Sequence, residues 1–239
     1  MTERLTFNSG SRTLNAQLAV PEGSGPFPAV VVIHEAFGLN QNIREVAARF
    51  AAEGYVALAV DLFAGQNQVL CMARFMGGML LNSLEHGGIA DMKAALDLLA
   101  ARPEVNPEQL GAVGYCMGGS FALALACTDG RLKAIAPYYG MNPRPLSAVE
   151  RSCPVVGSYP GKDFTTKSGQ ALEAELSSRG IPHDIKVYEG AKHSFNNDHA
   201  ANYDAAASAD AWKRTLNFFA EHIRGNVGGQ GGASGQNVG

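Results

Sequence analysis

The segment LGAVGYCMGGSFALALA, Leu110 to Ala126, runs an apolar strand into an Ala/Leu helix and sets a cysteine on the turn between them. Gly114 stands two residues before Cys116 and Gly118 two after it. This is the Gly-x-Ser-x-Gly elbow with cysteine in place of serine, and the chemistry it serves is nucleophilic attack on an acyl carbon. A nucleophile at such a turn takes a strained backbone conformation, and flanking residues without a Cβ let strand and helix approach each other. The helix N-terminus favours negative charge, which should assist a thiolate, and it offers the Met117 N–H to an oxyanion. A phosphate-binding turn is the alternative reading. Gly111, Gly114, Gly118 and Gly119 do not fit Gly-x-Gly-x-x-Gly, however, and no Gly-Lys-Ser/Thr follows them.

An elbow nucleophile needs an acid and then a histidine further along the chain. Asp163, in SYPGKDF, follows a strand at Pro154 to Ser158, and His193, in YEGAKHSFNND, follows a strand at Asp184 to Tyr188 and precedes the last helix. Asp163 can also be read as a turn aspartate beside Gly161, and His193 as an exposed loop histidine. Among the other histidines, His183 begins a strand at the wrong end of the sheet and His199 lies closer to the final helix. His34 and His86 precede the nucleophile.

The elements that must position these residues alternate. Thr13 to Val20 has the period of a half-buried strand, whereas Ala29 to Ile33 (AVVVI) is a continuous β-branched run of the kind covered on both faces. Apolar residues at helical spacing over Ile43 to Glu53 stop at Gly54, and Tyr55 to Leu62 is a second buried strand. Helices follow at Ile89 to Ala101, from Met117, at Thr166 to Arg179 and at Ala205 to Ile223. Strands follow at Leu110 to Tyr115, Leu132 to Tyr139, Pro154 to Ser158 and Asp184 to Tyr188. The expected fold class is α/β, with an antiparallel edge feeding a mostly parallel central sheet and helices on both faces. Residues 1–224 are expected to form a single domain. Within it, the Met/Leu-rich stretch 64–88 breaks the rhythm and is a candidate lid. Residues 225–239, rich in Gly, Asn and Gln, have almost nothing to bury and are expected to be a disordered tail.

Composition narrows the function classes. The 239 residues carry a net charge of -3, with 46% hydrophobic and 17% charged residues. No apolar run approaches membrane-spanning length, and no basic stripe interleaved with aromatics suggests nucleic acid. The first residues, MTERLTFNSG, lack an apolar h-region, so a soluble, cytoplasmic protein is expected. The four cysteines show neither a disulfide scaffold nor zinc spacing. Cys127 and Cys153 read as small core hydrophobes, and Cys71 is open.

HEAFGLN at His34 to Asn40, GYCMGG at Gly114 to Gly119, Asp163, and AKHSFNND at Ala191 to Asp198 together resemble the dienelactone hydrolase family of α/β-hydrolases. The likeness runs from about Phe7 to Ile223. It implies the α/β-hydrolase fold, Cys116 as nucleophile, His193 as base and Asp163 as the residue that orients the imidazole. It also implies that Glu35 keeps the resting cysteine a thiol and accepts its proton when substrate displaces it, and that the backbone N–H groups of Ala36 and Met117 form the oxyanion hole. Read from its residues alone, Glu35, two positions past the end of AVVVI, should be partly desolvated.

The sequence departs from the family at the substrate clamp. Dienelactone hydrolases bind a substrate carboxylate with two arginines, one of them a few residues after the histidine, where this chain has Ser194, Phe195, Asn196 and Asn197. Arg74 is a candidate for the other, and its alternative is a solvated helix charge. Losing a charged hydrogen bond of this kind costs about 1.5–3 kcal/mol. Phe37, Cys71, Met72, Phe75, Met76 and Met79 are candidates for an apolar pocket, or for plain core packing. The resulting expectation is hydrolysis of small neutral esters or lactones through a thioester, with no metal or organic cofactor. The rivals are a thiol redox sensor with Cys71 as resolving cysteine and a catalytically silent binding module on the same fold.

Overall fold

In a computed structural model, which describes residues 1–225, the eight strands form one sheet in the order β1-β2-β4-β3-β5-β6-β7-β8. The strands are β1 (Thr2–Ser9), β2 (Arg12–Ala19), β3 (Phe27–Ile33), β4 (Val56–Asp61), β5 (Val105–Tyr115), β6 (Leu132–Tyr138), β7 (Val155–Lys162) and β8 (His183–Lys192). β1 pairs antiparallel with β2 and β2 antiparallel with β4, while every pair from β4 to β8 is parallel. The antiparallel edge on a parallel sheet is the arrangement expected from the sequence. Residues 226–239, which hold all but the first residue of the expected tail, lie outside the described residues.

Side chains on β3 alternate between two cores because successive strand residues face opposite sides of a sheet. Val31 and Ile33 join one cluster, with Met92, Leu96 and Leu99 of α3 (Gly87–Ala100), Phe121 and Leu123 of α4 (Met117–Ala126), and Leu172 and Leu176 of α5 (Thr166–Ser178). Val30 and Val32 join the other, with Ile43, Val46 and Phe50 of α1 (Gln41–Ala52) and Ala211 and Phe219 of α6 (Ala205–His222). The unbroken apolar run in β3 thus reflects burial on both faces. Local capping fixes helix starts: the Asn40 side chain accepts the Ile43 N–H, and that of Asp204 accepts the Ala207 N–H.

Two elements differ from the sequence reading. Stretch 64–88 contains a helix, α2 (Gln68–Leu81), capped by the Asn67 side chain, which accepts the N–H groups of Val69 and Leu70. Its Gly77-Gly78 pair lowers helix propensity and its apolar residues surround the axis, so no 3.6-residue stripe announces it. β1 is the second. Phe7 faces the core, but most of the strand's residues are polar and every second one down to Asn8 is exposed, which hides an edge strand from a hydrophobic-pattern reading. Among the described residues no helix is long and apolar enough to cross a membrane.

Candidate active site

Glu35, Cys116, Asp163 and His193 follow β3, β5, β7 and β8, so four connections converge at the carboxyl ends of parallel strands. Cys116 has φ 55° and ψ -114° at the start of α4, a left-handed conformation for a residue with a side chain. The tightness of the elbow explains its glycines. A Cβ on Gly114 would strike the Gly118 carbonyl, one on Gly118 would strike the Ile33 carbonyl, and one on Gly119 would lie 2.7 Å from the Tyr138 carbonyl oxygen. The first turn of α4 therefore lies directly on the ends of β3 and β6. Ser120 braces it, its Oγ accepting the Met141 N–H at 2.8 Å.

The backbone N–H groups of Met117 and Ala36 lie close enough to the Cys116 sulfur to favour its thiolate, without meeting hydrogen-bond geometry. Despite them, the thiol is pushed up to about 11, first by burial and then by the Glu35 carboxylate beside it. The expected help to a thiolate from the helix N-terminus is therefore outweighed in the resting molecule. Two amide dipoles do not offset the loss of water plus a neighbouring negative charge.

Glu35 is 2% exposed, and both its oxygens are occupied. Ser194 Oγ donates to Oε1 at 2.9 Å and Asn197 Nδ2 donates to Oε2 at 2.9 Å. Asn197 falls in the stretch where the family's arginine is missing, and it meets the carboxylate with a neutral donor. The buried Tyr139 hydroxyl lies near Glu35 without meeting hydrogen-bond geometry, and its own ionisation is suppressed first by burial and then by that carboxylate. Sequence reasoning missed the work of Ser194 and Asn197, although both lie in the quoted AKHSFNND motif.

His193 Nδ1 and Asp163 Oδ2 are 2.7 Å apart. Asp163 also accepts from Thr165 Oγ1 at 2.5 Å and from the Phe164 N–H at 2.7 Å. Burial would raise its carboxyl, but these hydrogen bonds, led by that from His193, prevail and hold it below the usual carboxylate range. The imidazole sits between two rings, stacked on Phe164 at 5.1 Å and tilted against Tyr139 at 5.0 Å. No hydrogen bond joins Cys116 to His193 among the described residues. Ser194, with φ 63°, and Tyr139, with φ 42°, add two more left-handed residues, so backbone strain gathers at this site.

The proposed substrate contacts separate. Phe37, two residues after Glu35, is 63% exposed, and the Ala36 carbonyl beside it accepts from Gln68 Nε2 of α2 at 2.5 Å. Phe75 is buried against Phe63, Phe121 and His86, which is core packing beneath α2. The Arg74 guanidinium lies against Gly87 and near Asp91 of α3 rather than at the Cys116 sulfur. Cys71 packs in the other core cluster from the one Cys116 touches, its sulfur 3.7 Å from the Gln66 side-chain oxygen. A resolving role would require it to leave that packing. His183 bonds Ser177 and the Ile181 carbonyl, and His199 pairs with Glu45 on the surface, so neither competes with His193.

The sheet order together with the elbow after β5 define an α/β-hydrolase. The model of the dienelactone hydrolase family matches residues 14–223, and the chain belongs to that family. It is 30% identical to a Saccharolobus solfataricus protein provisionally named carboxymethylenebutenolidase, over 91% of this chain and 98% of that one. Among solved structures it is similar to a provisionally named dienelactone hydrolase of Klebsiella pneumoniae, with TM-score 0.82, 26% identity, and 93% and 99% of the two chains covered. It is also similar to the dienelactone hydrolase-like promiscuous phosphotriesterase P91 from metagenomic libraries, with TM-score 0.83, 28% identity, and coverage of 93% and 98%.

Proposed function

We propose that this hydrolase cleaves small neutral carboxylic esters and lactones through a thioester on Cys116. The observation that carries the reading is a strained elbow cysteine whose acidity is set by the Met117 and Ala36 amides and the Glu35 and Asp163 carboxylates, with the His193 Nδ1 tied to that same Asp163. In the resting state the thiol keeps its proton. When substrate enters and displaces the side chain, Glu35 is the first acceptor of that proton, which passes to Nε2 of His193. The thiolate attacks the carbonyl carbon, and the Ala36 and Met117 N–H groups hold the oxyanion. The C–O bond breaks as His193 gives its proton to the leaving alkoxide. Water then yields a proton to Nε2 and its oxygen attacks the thioester; the S–C bond breaks, the acid leaves and the imidazole returns the proton to sulfur.

The choice of neutral substrates follows from charge. Glu35 is held by neutral donors, the Arg74 guanidinium lies against Gly87 of α3, and Phe37 and Phe164 are exposed, with Phe164 stacked on the imidazole. An anionic substrate would meet a carboxylate that no cation pairs with among the described residues. Expected kcat/KM is therefore at least about tenfold higher for a neutral nitrophenyl acetate or butyrate than for the anionic dienelactone, one ionic hydrogen bond being worth about 1.5–3 kcal/mol. Mass spectrometry of quenched protein should place the acyl group on Cys116. A preference for the dienelactone, or acylation elsewhere, defeats the reading.

Glu35→Gln is expected to separate thiol acidity from turnover. The carboxylate raises the thiol, so removing its charge lowers the thiol from about 11. At a fixed pH below both values more thiolate is present, and alkylation of Cys116 by iodoacetamide should speed up. Ester kcat should fall, by roughly 10²-fold, because the first proton acceptor is gone. Alkylation rates followed from pH 7 to 11 check the sign, and an upward shift of the midpoint contradicts it.

A further inference from the structure

His34 is fully buried at the end of β3, one residue before Glu35. Its ring nitrogens are used in different ways. Nε2 lies 3.1 Å from the Leu62 amide nitrogen and accepts its N–H, so Nε2 carries no proton. Nδ1 therefore holds the proton of the neutral ring and donates it to the Glu35 carbonyl oxygen at 2.5 Å. Burial favours that neutral form by lowering the imidazole's pKa. The Phe63 ring, with its centroid 4.9 Å away, closes one side.

That carbonyl belongs to the peptide unit whose N–H is Ala36's. A trans peptide is planar, and its C=O and N–H point in opposite directions. Anchoring the Glu35 oxygen on one side therefore sets where the Ala36 N–H points on the other, and that N–H lies near enough to the Cys116 sulfur to favour its thiolate, short of a full hydrogen bond. The competing restraint on the same oxygen is weaker, a Gly38 N–H at 3.3 Å. The next carbonyl, that of Ala36, is held separately by Gln68.

We propose that His34 is a positioning residue for acyl transfer, its Nδ1–H clamping the Glu35–Ala36 peptide so that the Ala36 N–H is aimed at the developing oxyanion. This rests on Cys116 as nucleophile. His34 touches no reacting atom, and its effect is carried entirely by one peptide plane held between the ends of β3 and β4.

Two variants of similar shape isolate the clamp. In His34→Asn the side-chain amide can still donate near the place of Nδ1, whereas His34→Leu cannot, and both lose the acceptor for Leu62 N–H. For a neutral nitrophenyl ester, the Leu variant is expected to lose about 100-fold in kcat with KM changed by less than about threefold, and the Asn variant to recover at least about tenfold of that loss. Alkylation of Cys116 by iodoacetamide forms no oxyanion, so a mis-aimed Ala36 N–H reaches it only through the thiol's acidity, and the rates should differ by less than about threefold among all three proteins. Equal losses in kcat for Asn and Leu, or alkylation falling in step with kcat, would show ordinary packing and overturn the proposal. A ¹⁵N NMR spectrum of the wild type keeps the test open should either variant fail to fold. A proton on Nδ1 of His34 is expected, and one on Nε2 overturns the clamp. Wild-type protein fully alkylated at Cys116 separates the two claims: loss of turnover is expected, and surviving turnover removes the Cys116 reading and the clamp with it.

Discussion

Replacing Cys116 by alanine is expected to lower kcat/KM for a neutral nitrophenyl ester by about 10⁵-fold, leaving a residue of rate from binding and the oxyanion donors alone. The size follows from the role: alanine puts no nucleophile on the elbow, so the covalent route closes. Stability should change little. Alanine meets the same left-handed backbone constraint at φ 55° that cysteine already meets, and the Gly114, Gly118 and Gly119 approaches that hold the elbow do not involve the sulfur. Thermal unfolding measured beside the kinetics separates loss of the nucleophile from loss of the fold. An alanine variant with more than about a tenth of wild-type turnover would exclude the thioester route.

Asp163→Asn should cost about 10³–10⁴-fold in kcat, through the tautomer of His193. Both carboxylate oxygens of Asp163 accept hydrogen bonds, Oδ1 from the Phe164 N–H and Oδ2 from Thr165 and His193. An asparagine must turn its NH₂ toward one of these sets. Facing Phe164, it opposes a backbone donor that cannot reverse. Facing Oδ2's partners, it finds a threonine hydroxyl that can rotate to accept, and an imidazole that can accept only by moving its proton to Nε2. The second arrangement costs less, and it leaves the nitrogen that must take the proton from the nucleophile already protonated. The loss should fall on kcat more than on KM. Imidazole ¹⁵N shifts should show a proton on Nδ1 in the wild type and on Nε2 in the variant. Unchanged tautomers together with near-normal kcat would remove Asp163 from this role.

Local patterns carried much of this molecule. The elbow could be read because strand, two glycines, cysteine and helix lie within a single short segment, and β3 because β-branched residues ran without a polar break. Asp163 and His193 could be read because chain order places acid and histidine after later strands. Arg74 and Phe75 show where such reading stops. Their segment forms a helix, but which side of that helix meets the site depends on α3 and Phe121, far away in sequence. The same holds for α2 itself, whose evenly apolar surface has no stripe to mark an inward face.

The kinds of groups at the site were thus encoded in short stretches of chain, because residue type and spacing are local properties. Their condition was not. Whether Cys116 rests as thiol or thiolate depends on a carboxylate 81 positions earlier in the chain and on burial supplied by several connections at once. Whether Glu35 meets a cation or a neutral amide depends on Ser194 and Asn197 folding over it. Solvent exclusion and hydrogen-bond partnership are sums over neighbours in space, and only the packed sheet, with its strand ends brought together, assigns those neighbours.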